Sequence, residues 1–333
     1  MNKLIFKLFD ETPVFLLLAL VTILISGCIP GITGRAVQAP NEITKAPEVY
    51  FCPAEDCGSV FEKNIEMANS SVHCALYDIN LKNIIRVLSN RSSSIDVRIV
   101  MDSSNQKSQI KGDAVRADND NQLMHNKFCV IDGYAVVTGS FNPTFNDNSR
   151  NNNNVIVIYS NALAENYENE FDELWNGEFG KGKNVKNPVI YVNGMKIENY
   201  FCPEDKCASH LIDLIKNAGK SVYFMSFSFT NRDIADAVIG KNEIDTKGVL
   251  DSGQAANKFS QFERLRESGI DVKKDKNKYK MHHKVFIIDN ETVATGSFNP
   301  TSSADEKNDE NLLIIHDRKI AGAFLREFGN VSN

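Results

Sequence analysis

The chain has 333 residues, 42% of them hydrophobic, and carries 37 basic against 43 acidic side chains for a formal charge of −6. That length supports one large domain or two of ordinary size, each with its own core. The acidic balance excludes a global attraction to nucleic acid and leaves only local basic patches for that purpose.

In chain order, Lys3 and Lys7 precede an apolar stretch from Val14 to Ile25, which runs into Ser26-Gly27-Cys28. The stretch is short for a membrane crossing and suits the apolar region of an export signal. LISGC has the form of a lipobox, with Cys28 as the residue lipidated after cleavage. Residues 1–27 are therefore read as a signal peptide or, because Asp10 and Glu11 intrude, as an uncleaved membrane anchor. Residues 28–46 mix proline, glycine and polar side chains without periodicity and read as a tether. The expected location is extracytoplasmic: membrane-anchored through the N-terminus, as a lipoprotein, or secreted.

Next come two near-identical cysteine turns, YFCPAEDC and YFCPEDKC. In an exported protein, Cys52–Cys57 and Cys202–Cys207 are candidate local disulfides, and no metal is expected. Cys74 and Cys129 sit inside apolar strand patterns and read as buried thiols. The cysteine turn recurs after 150 residues, and HNKFCVIDGYAVVTGSFNPT from His125 recurs after 157 as HHKVFIIDNETVATGSFNPT from His282. Two separate segments repeating in the same order indicate an internal duplication, with a first repeat at 47–180 and a second at 181–333.

Each repeat carries the same predicted elements. Helical patterns at Val60–Ala68 and Ala208–Ala218 are followed by strands at Val72–Tyr77 and Val222–Phe229. A second helix and the strands Ile95–Met101 and Gly248–Asp251 come next. Each histidine then opens a β-hairpin whose two-residue connection, Asp132-Gly133 or Asp289-Asn290, favours a tight turn. Strands at Val155–Tyr159 and Leu312–Ile315 lead to closing helices at Ala162–Trp175 and Arg318–Phe328. The fold class is α/β, two tandem sandwich repeats with mixed sheets.

His125 and Lys127 lie two apart, on one face of a strand, as do His282 and Lys284. The hairpin brings Gly139-Ser140-Phe141-Asn142 and Gly296-Ser297-Phe298-Asn299 back to the same strand ends. Two such sets about a pseudo-twofold axis would form one pocket with two histidines, two lysines (Lys127, Lys284) and two asparagines (Asn142, Asn299). That chemistry suits a phosphodiester: cations and amides bind the phosphoryl oxygens, one histidine attacks, and the other protonates the leaving oxygen.

Both sets resemble the phospholipase D superfamily signature, H-x-K-x4-D with a following G-S-x-N, found in phospholipases D, cardiolipin synthases and small bacterial endonucleases. The resemblance covers most of residues 48–330. It implies phospholipase D-like repeats, a phosphohistidine intermediate, no required cofactor or metal, and supporting roles for Asp132, Ser140, Asp289 and Ser297. It also implies an acidic residue behind each histidine. Glu310 follows His282 by 28 residues, and the same spacing from His125 gives Asn153, inside the run RNNNNVIVIY. A carboxylate fixes the imidazole tautomer and favours its charged form, whereas an amide supplies no charge. On this spacing His282 is expected to hold its proton more readily, as the acid, with His125 as the nucleophile.

His283, facing away from His282, and His73, His210 and His316 read as ordinary histidines, and Trp175 as core. GSFN and KNDEN are worded most like the small endonucleases, so an extracytoplasmic endonuclease is the first expectation. A phospholipase D or phosphatidyl transferase is the alternative, supported by the membrane tether. Lys273 to Lys280 could meet a polyanion, but no aromatic-and-basic stacking platform is evident in the sequence. Nucleic acid or phospholipid is thus the expected partner, and no obligate protein partner is implied.

Overall fold

The computed structural model describes residues 39–105, 114–119 and 122–333. The expected export segment, Cys28 and most of the tether lie outside the described residues. Among the described residues, no helix is long and apolar enough to cross a membrane.

The first half contributes β1 (Asn41–Glu42), β2 (Glu48–Cys52), β3 (Ser71–Leu76), β4 (Asp96–Met101), β5 (Val115–Ala117), β6 (Lys127–Ile131), β7 (Ala135–Gly139) and β8 (Asn153–Tyr159). The second contributes β9 (Val189–Val192), β10 (Met195–Cys202), β11 (Ser221–Ser226), β12 (Asp245–Leu250), β13 (Asp271–Lys274), β14 (Lys284–Ile288), β15 (Thr292–Gly296) and β16 (Glu310–His316). One sheet runs β2-β8-β7-β6-β3-β4-β5, and the other runs β1-β9-β10-β16-β15-β14-β11-β12-β13. Apart from β1 and β9, the two orders match strand for strand. In each sheet the crossover strands pair in parallel and the hairpin strands antiparallel, so both sheets are mixed. Part of the segment read as tether joins the fold: Asn41–Glu42 pairs with β9, at the edge of the second repeat's sheet.

The unbroken apolar runs follow from burial on both sheet faces. In β8, Ile156 and Ile158 point into a central core shared by the two repeats, while Val155 and Val157 point into the first repeat's outer core. Leu313 and Ile315 of β16 divide from Leu312 and Ile314 in the same way. The closing helices, Asn161–Trp175 and Arg318–Ser332, supply Tyr167, Phe171 and Phe324 to the central core. Ser160 and Asp317 cap them, accepting the N–H of Leu163 at 3.1 Å and of Ile320 at 2.8 Å, as side-chain caps do at exposed helix N–H groups.

At the hairpin turns Asp132, Gly133, Asp289 and Asn290 all have φ between 55° and 60°, the backbone of a type I′ turn. Each motif aspartate ties its turn to the start of the neighbouring strand. Asp132 accepts the backbone N–H groups of Asn69, Ser70 and Ser71, and Asp289 those of Gly219, Lys220 and Ser221. Burial would raise the Asp132 carboxyl, but these donors hold it at about 2. Both aspartates therefore sit at the far end of the hairpin from the histidines.

Cys52 is joined to Cys57 and Cys202 to Cys207. Cys74 and Cys129, expected as separate buried thiols, are instead joined to each other. They face one another across β3 and β6, with Cα atoms 4.1 Å apart, and strand spacing alone did not reveal that register. The second repeat fills the matching positions with Phe224 and Phe286, stacked at 5.5 Å. Beside Phe224 in the parallel neighbour is Gly248, where the first repeat has Ile99. A Cβ on Gly248 would overlap the Phe224 ring. Gly248→Ala should therefore overpack the second repeat and cost about 1–3 kcal/mol, read as a lower urea midpoint at unchanged slope.

Candidate active site

The site forms where the two sheets' strand ends cross. The backbone N–H of His125 donates to Asp309 O at 3.0 Å, and that of His282 to Asn152 O at 2.9 Å. These contacts lay the beginning of β16 beside His125 and the beginning of β8 beside His282. His125 Nδ1 is 2.7 Å from Glu310 Oε2, and His282 Nδ1 is 2.9 Å from Asn153 Oδ1. The expected pairing of each histidine with the residue 28 positions later is thus wrong. The support comes from the opposite repeat, and it is His125 that has the carboxylate.

That exchange also removes the reason for expecting His282 to hold its proton more readily than His125. Burial pushes His125 down to about 4 against the pull of Glu310, with Lys127 and Lys284 adding to the fall. Burial also pushes His282 well below its ordinary value, and Lys284, Lys127, His125 and Lys280 all act in the same direction. The lysine ammoniums are buried too. Lys127 Nζ donates to His125 O at 2.6 Å and Lys284 Nζ to His282 O at 2.7 Å. Burial lowers Lys127 to about 8 despite nearby Glu310 and Asp147. The result is a buried cluster of cationic groups able to receive an anion.

The remaining motif residues hold this pocket in shape. Ser297 Oγ donates to Glu310 at 2.6 Å and accepts the N–H of Asn311 at 2.9 Å. Ser140 does the same with Asn153 and Asn154 at 3.1 and 3.0 Å. Asn142 donates from both its backbone N and its Nδ2 to Asp147 Oδ2, each at 2.8 Å. Glu310 is fully buried, and its carboxyl is held below the usual range by His125 and Lys127, which outweigh desolvation.

Several residues at the site were not apparent in the sequence. Tyr77 and Phe227 turn ring edges toward His125 and His282, each at 4.8 Å, and offer their faces to Lys127 and Lys284. A pocket of about 350 Å³ opens here, lined by Tyr77, Asn142, Asp147, Arg150, Tyr279 and His282 among others. At this pocket the Arg150 guanidinium lies 5.0 Å from the Phe145 ring and 4.9 Å from the Tyr279 ring, both rings exposed. An aromatic-and-basic platform therefore exists, assembled from both repeats, which no single sequence window could display. Of the Lys273–Lys280 cluster, Lys280 reaches the pocket lining. Among the histidines read as ordinary, His283 is buried between Asn154 and Glu327 and lies outside the pocket.

Paired histidine–lysine half-sites on duplicated α/β sheets define a class of phosphoryl-transfer protein. A family model described as "Cardiolipin synthase, PLD-like domain" matches residues 61–175 and 211–332, and the chain belongs to this phospholipase D-like family of enzymes. It is 34% identical over 137 residues to a phospholipase D of Rickettsia felis, spanning 40% of this chain and 68% of that one. A mitochondrial cardiolipin hydrolase of Chlamydomonas reinhardtii is 35% identical over 125 residues, 36% of this chain and 55% of that one. Phosphatidylserine synthase from Haemophilus influenzae shares the fold, with a TM-score of 0.65 and 13% identity over 85% of both chains.

Burial of neutral histidine makes stability depend on pH. With His125 near 4 in the fold and 6.5 as its ordinary value, the unfolded chain binds the extra proton between those limits. Its contribution is complete above about pH 6.5 and declines as pH falls toward 4, by ~3 kcal/mol in all. Urea unfolding at pH 7 and pH 5 should show a smaller loss for His125→Asn than for the parent chain, and equal losses would contradict this reading.

Proposed function

We propose that the protein is a phospholipase D-type hydrolase that cleaves the headgroup phosphodiester of membrane phospholipids. The observation that carries this reading is the match, over 137 and 125 residues, to relatives named for phospholipase D and cardiolipin hydrolysis, with His, Lys and Asn present in both half-sites. This reverses the preference drawn from motif wording, which favoured an endonuclease. The exposed Phe145 and Tyr279 rings beside Arg150 suit a bilayer interface and stacked bases alike, so they do not weigh between lipid and nucleic acid. Three cystine pairs fit an oxidising compartment, and so does an exported, membrane-tethered chain.

In the proposed reaction His125 Nε2 attacks phosphorus. The Nδ1–H bond to Glu310 leaves the Nε2 lone pair facing the pocket and balances the positive charge that forms on the ring. As the N–P bond forms, the P–O bond to the leaving alcohol breaks, and His282 Nε2–H gives that oxygen its proton. Lys127, Lys284, Asn142 and Asn299 stabilise the phosphoryl oxygens. Water then attacks the phosphohistidine, its proton passing to His282, and the phosphomonoester leaves. His125 keeps the nucleophilic role expected from the sequence, but because it has the carboxylate rather than because it lacks one.

The full-length chain should release headgroup from phosphatidylcholine or phosphatidylglycerol vesicles with chelator present. Cleavage of plasmid or single-stranded nucleic acid without headgroup release would overturn the substrate assignment. His125→Ala and His282→Ala should each lower turnover by about 10²–10⁴-fold. Mass spectrometry after an alkaline quench, in which a phosphohistidine persists, should find the phosphoryl group on His125, and finding it on His282 instead would reverse the two roles.

A further inference from the structure

The half-sites follow one plan with one exchange in it. The 157-residue offset that relates His125 to His282 also relates positions 147 and 153 to 304 and 310. Neighbouring contacts support this register. Asn148 and Asp305 accept the N–H groups of Gly58 and Ala208, at 2.6 and 2.7 Å, and Thr144 and Thr301 cap the two short helices. In the second repeat the carboxylate stands at Glu310 on the strand, and the helix position is a buried Ala304. In the first repeat the strand position is Asn153, and the helix position is a buried Asp147. Each repeat thus has, near its strand end, a buried carboxylate that its counterpart replaces with an uncharged side chain, but on a different element.

The side chain of Asp147 points at the opposite repeat's histidine. Its Oδ2 lies 3.6 Å from His282 Nδ1, the ring nitrogen that meets Asn153 at 2.9 Å. Asn142 holds Oδ2 through two donors at 2.8 Å, and Asn151 Nδ2 holds Oδ1 at 2.6 Å, so the carboxylate cannot swing away cheaply. The charged groups that act most strongly on His282 are Lys284, Lys127, His125 and Lys280, and all oppose a positive charge on its ring. An amide can accept the Nδ1–H, but it cannot balance an imidazolium among those cations.

We propose that Asp147 is the positioning carboxylate of His282, supplying from the short helix the charge that Glu310 supplies to His125 from the strand. The proposal rests on reading His282 as the proton donor. It gives both histidines one counter-charge each, from the opposite repeat, despite the loss of a carboxylate at position 153.

The test is titration of the histidine rings by NMR in the full-length chain, with saturating inorganic phosphate to offset the buried lysines. Asp147→Asn should lower the His282 midpoint by about one pH unit, ~tenfold in proton affinity, and move His125 much less. Adding Asn153→Glu to that variant should restore the His282 midpoint. An unmoved His282, an equal shift of both rings, or no recovery in the double variant would each overturn the proposal, the last by tracing the effect to a displaced Asn142. In turnover, Asp147→Asn should shift the alkaline limb of the pH–rate profile to lower pH, and the double variant should bring it back. The titration is read without catalysis. Correct shifts in a chain that cleaves no phosphodiester would defeat the proposed function and leave the role of Asp147 standing.

Discussion

The site depends on two pairs of backbone hydrogen bonds that cross the pseudo-twofold axis, one joining His125 N–H to Asp309 O and Asp309 N–H to Leu123 O, the other joining His282 N–H to Asn152 O and Asn152 N–H to Lys280 O. They are short parallel bridges between the repeats, at Met124–Asp309 and Asn152–Met281, and they fix which strand end lies behind which histidine. A main-chain contact of this kind tolerates almost any side chain, so it can persist while the residues around it diverge. It also means that neither repeat holds a finished half-site: each imidazole is oriented by a side chain from the other half. Separating the repeats would leave His125 without Glu310 and His282 without both Asn153 and Asp147.

The electrostatics follow from that crossing. Two lysines and two histidines are buried close enough to act on one another's charge, each lysine donating to the backbone carbonyl of the histidine two residues before it. Neutral carbonyls orient an ammonium without cancelling its charge, and desolvation lowers the proton affinity of all four groups. A phosphodiester entering this space brings the negative charge that the cations lack, so binding substrate also makes an imidazolium affordable. Glu310 is consequently kept fully buried behind the His125 ring, where it tunes the histidine without occupying the place of the substrate anion.

Much of this was legible in the sequence because duplication displays each motif twice. The repeats, the hairpins, the histidine–lysine–asparagine sets and the mixed-sheet fold could all be read from spacing, periodicity and resemblance. The partner of each histidine could not. A spacing of 28 residues is the same whether the acid serves its own repeat or the other, and strand crossing is a tertiary fact. The Cys74–Cys129 pairing escaped for a related reason: it depends on the register between β3 and β6, which apolar patterning leaves open. Arg150 between Phe145 and Tyr279 spans both repeats and has no local signature. Asp147 did have one, because aligning it with Ala304 shows a buried acid against a buried methyl.

Joining two half-sites in one chain changes what substitution can do. In a symmetric dimer of one repeat, replacing the rear carboxylate by asparagine strips both histidines at once. In a fused chain the two positions vary independently, and the run from Asn151 to Asn154 differs from its counterpart at two places, Asn152 and Asn153. Asn151 holds Asp147, Asn152 and Asn154 meet Asn277 and His283 of the second repeat, and Asn153 faces His282. The second repeat fills the matching places with Asn308, Asp309, Glu310 and Asn311, giving the same backbone crossing with different charge. The Cys74–Cys129 pair opposite Phe224 and Phe286 is the same freedom expressed in the core. Once the halves are distinct, the two histidines need no longer be interchangeable, and a fixed division between attack and proton transfer becomes a property that the covalent link makes available.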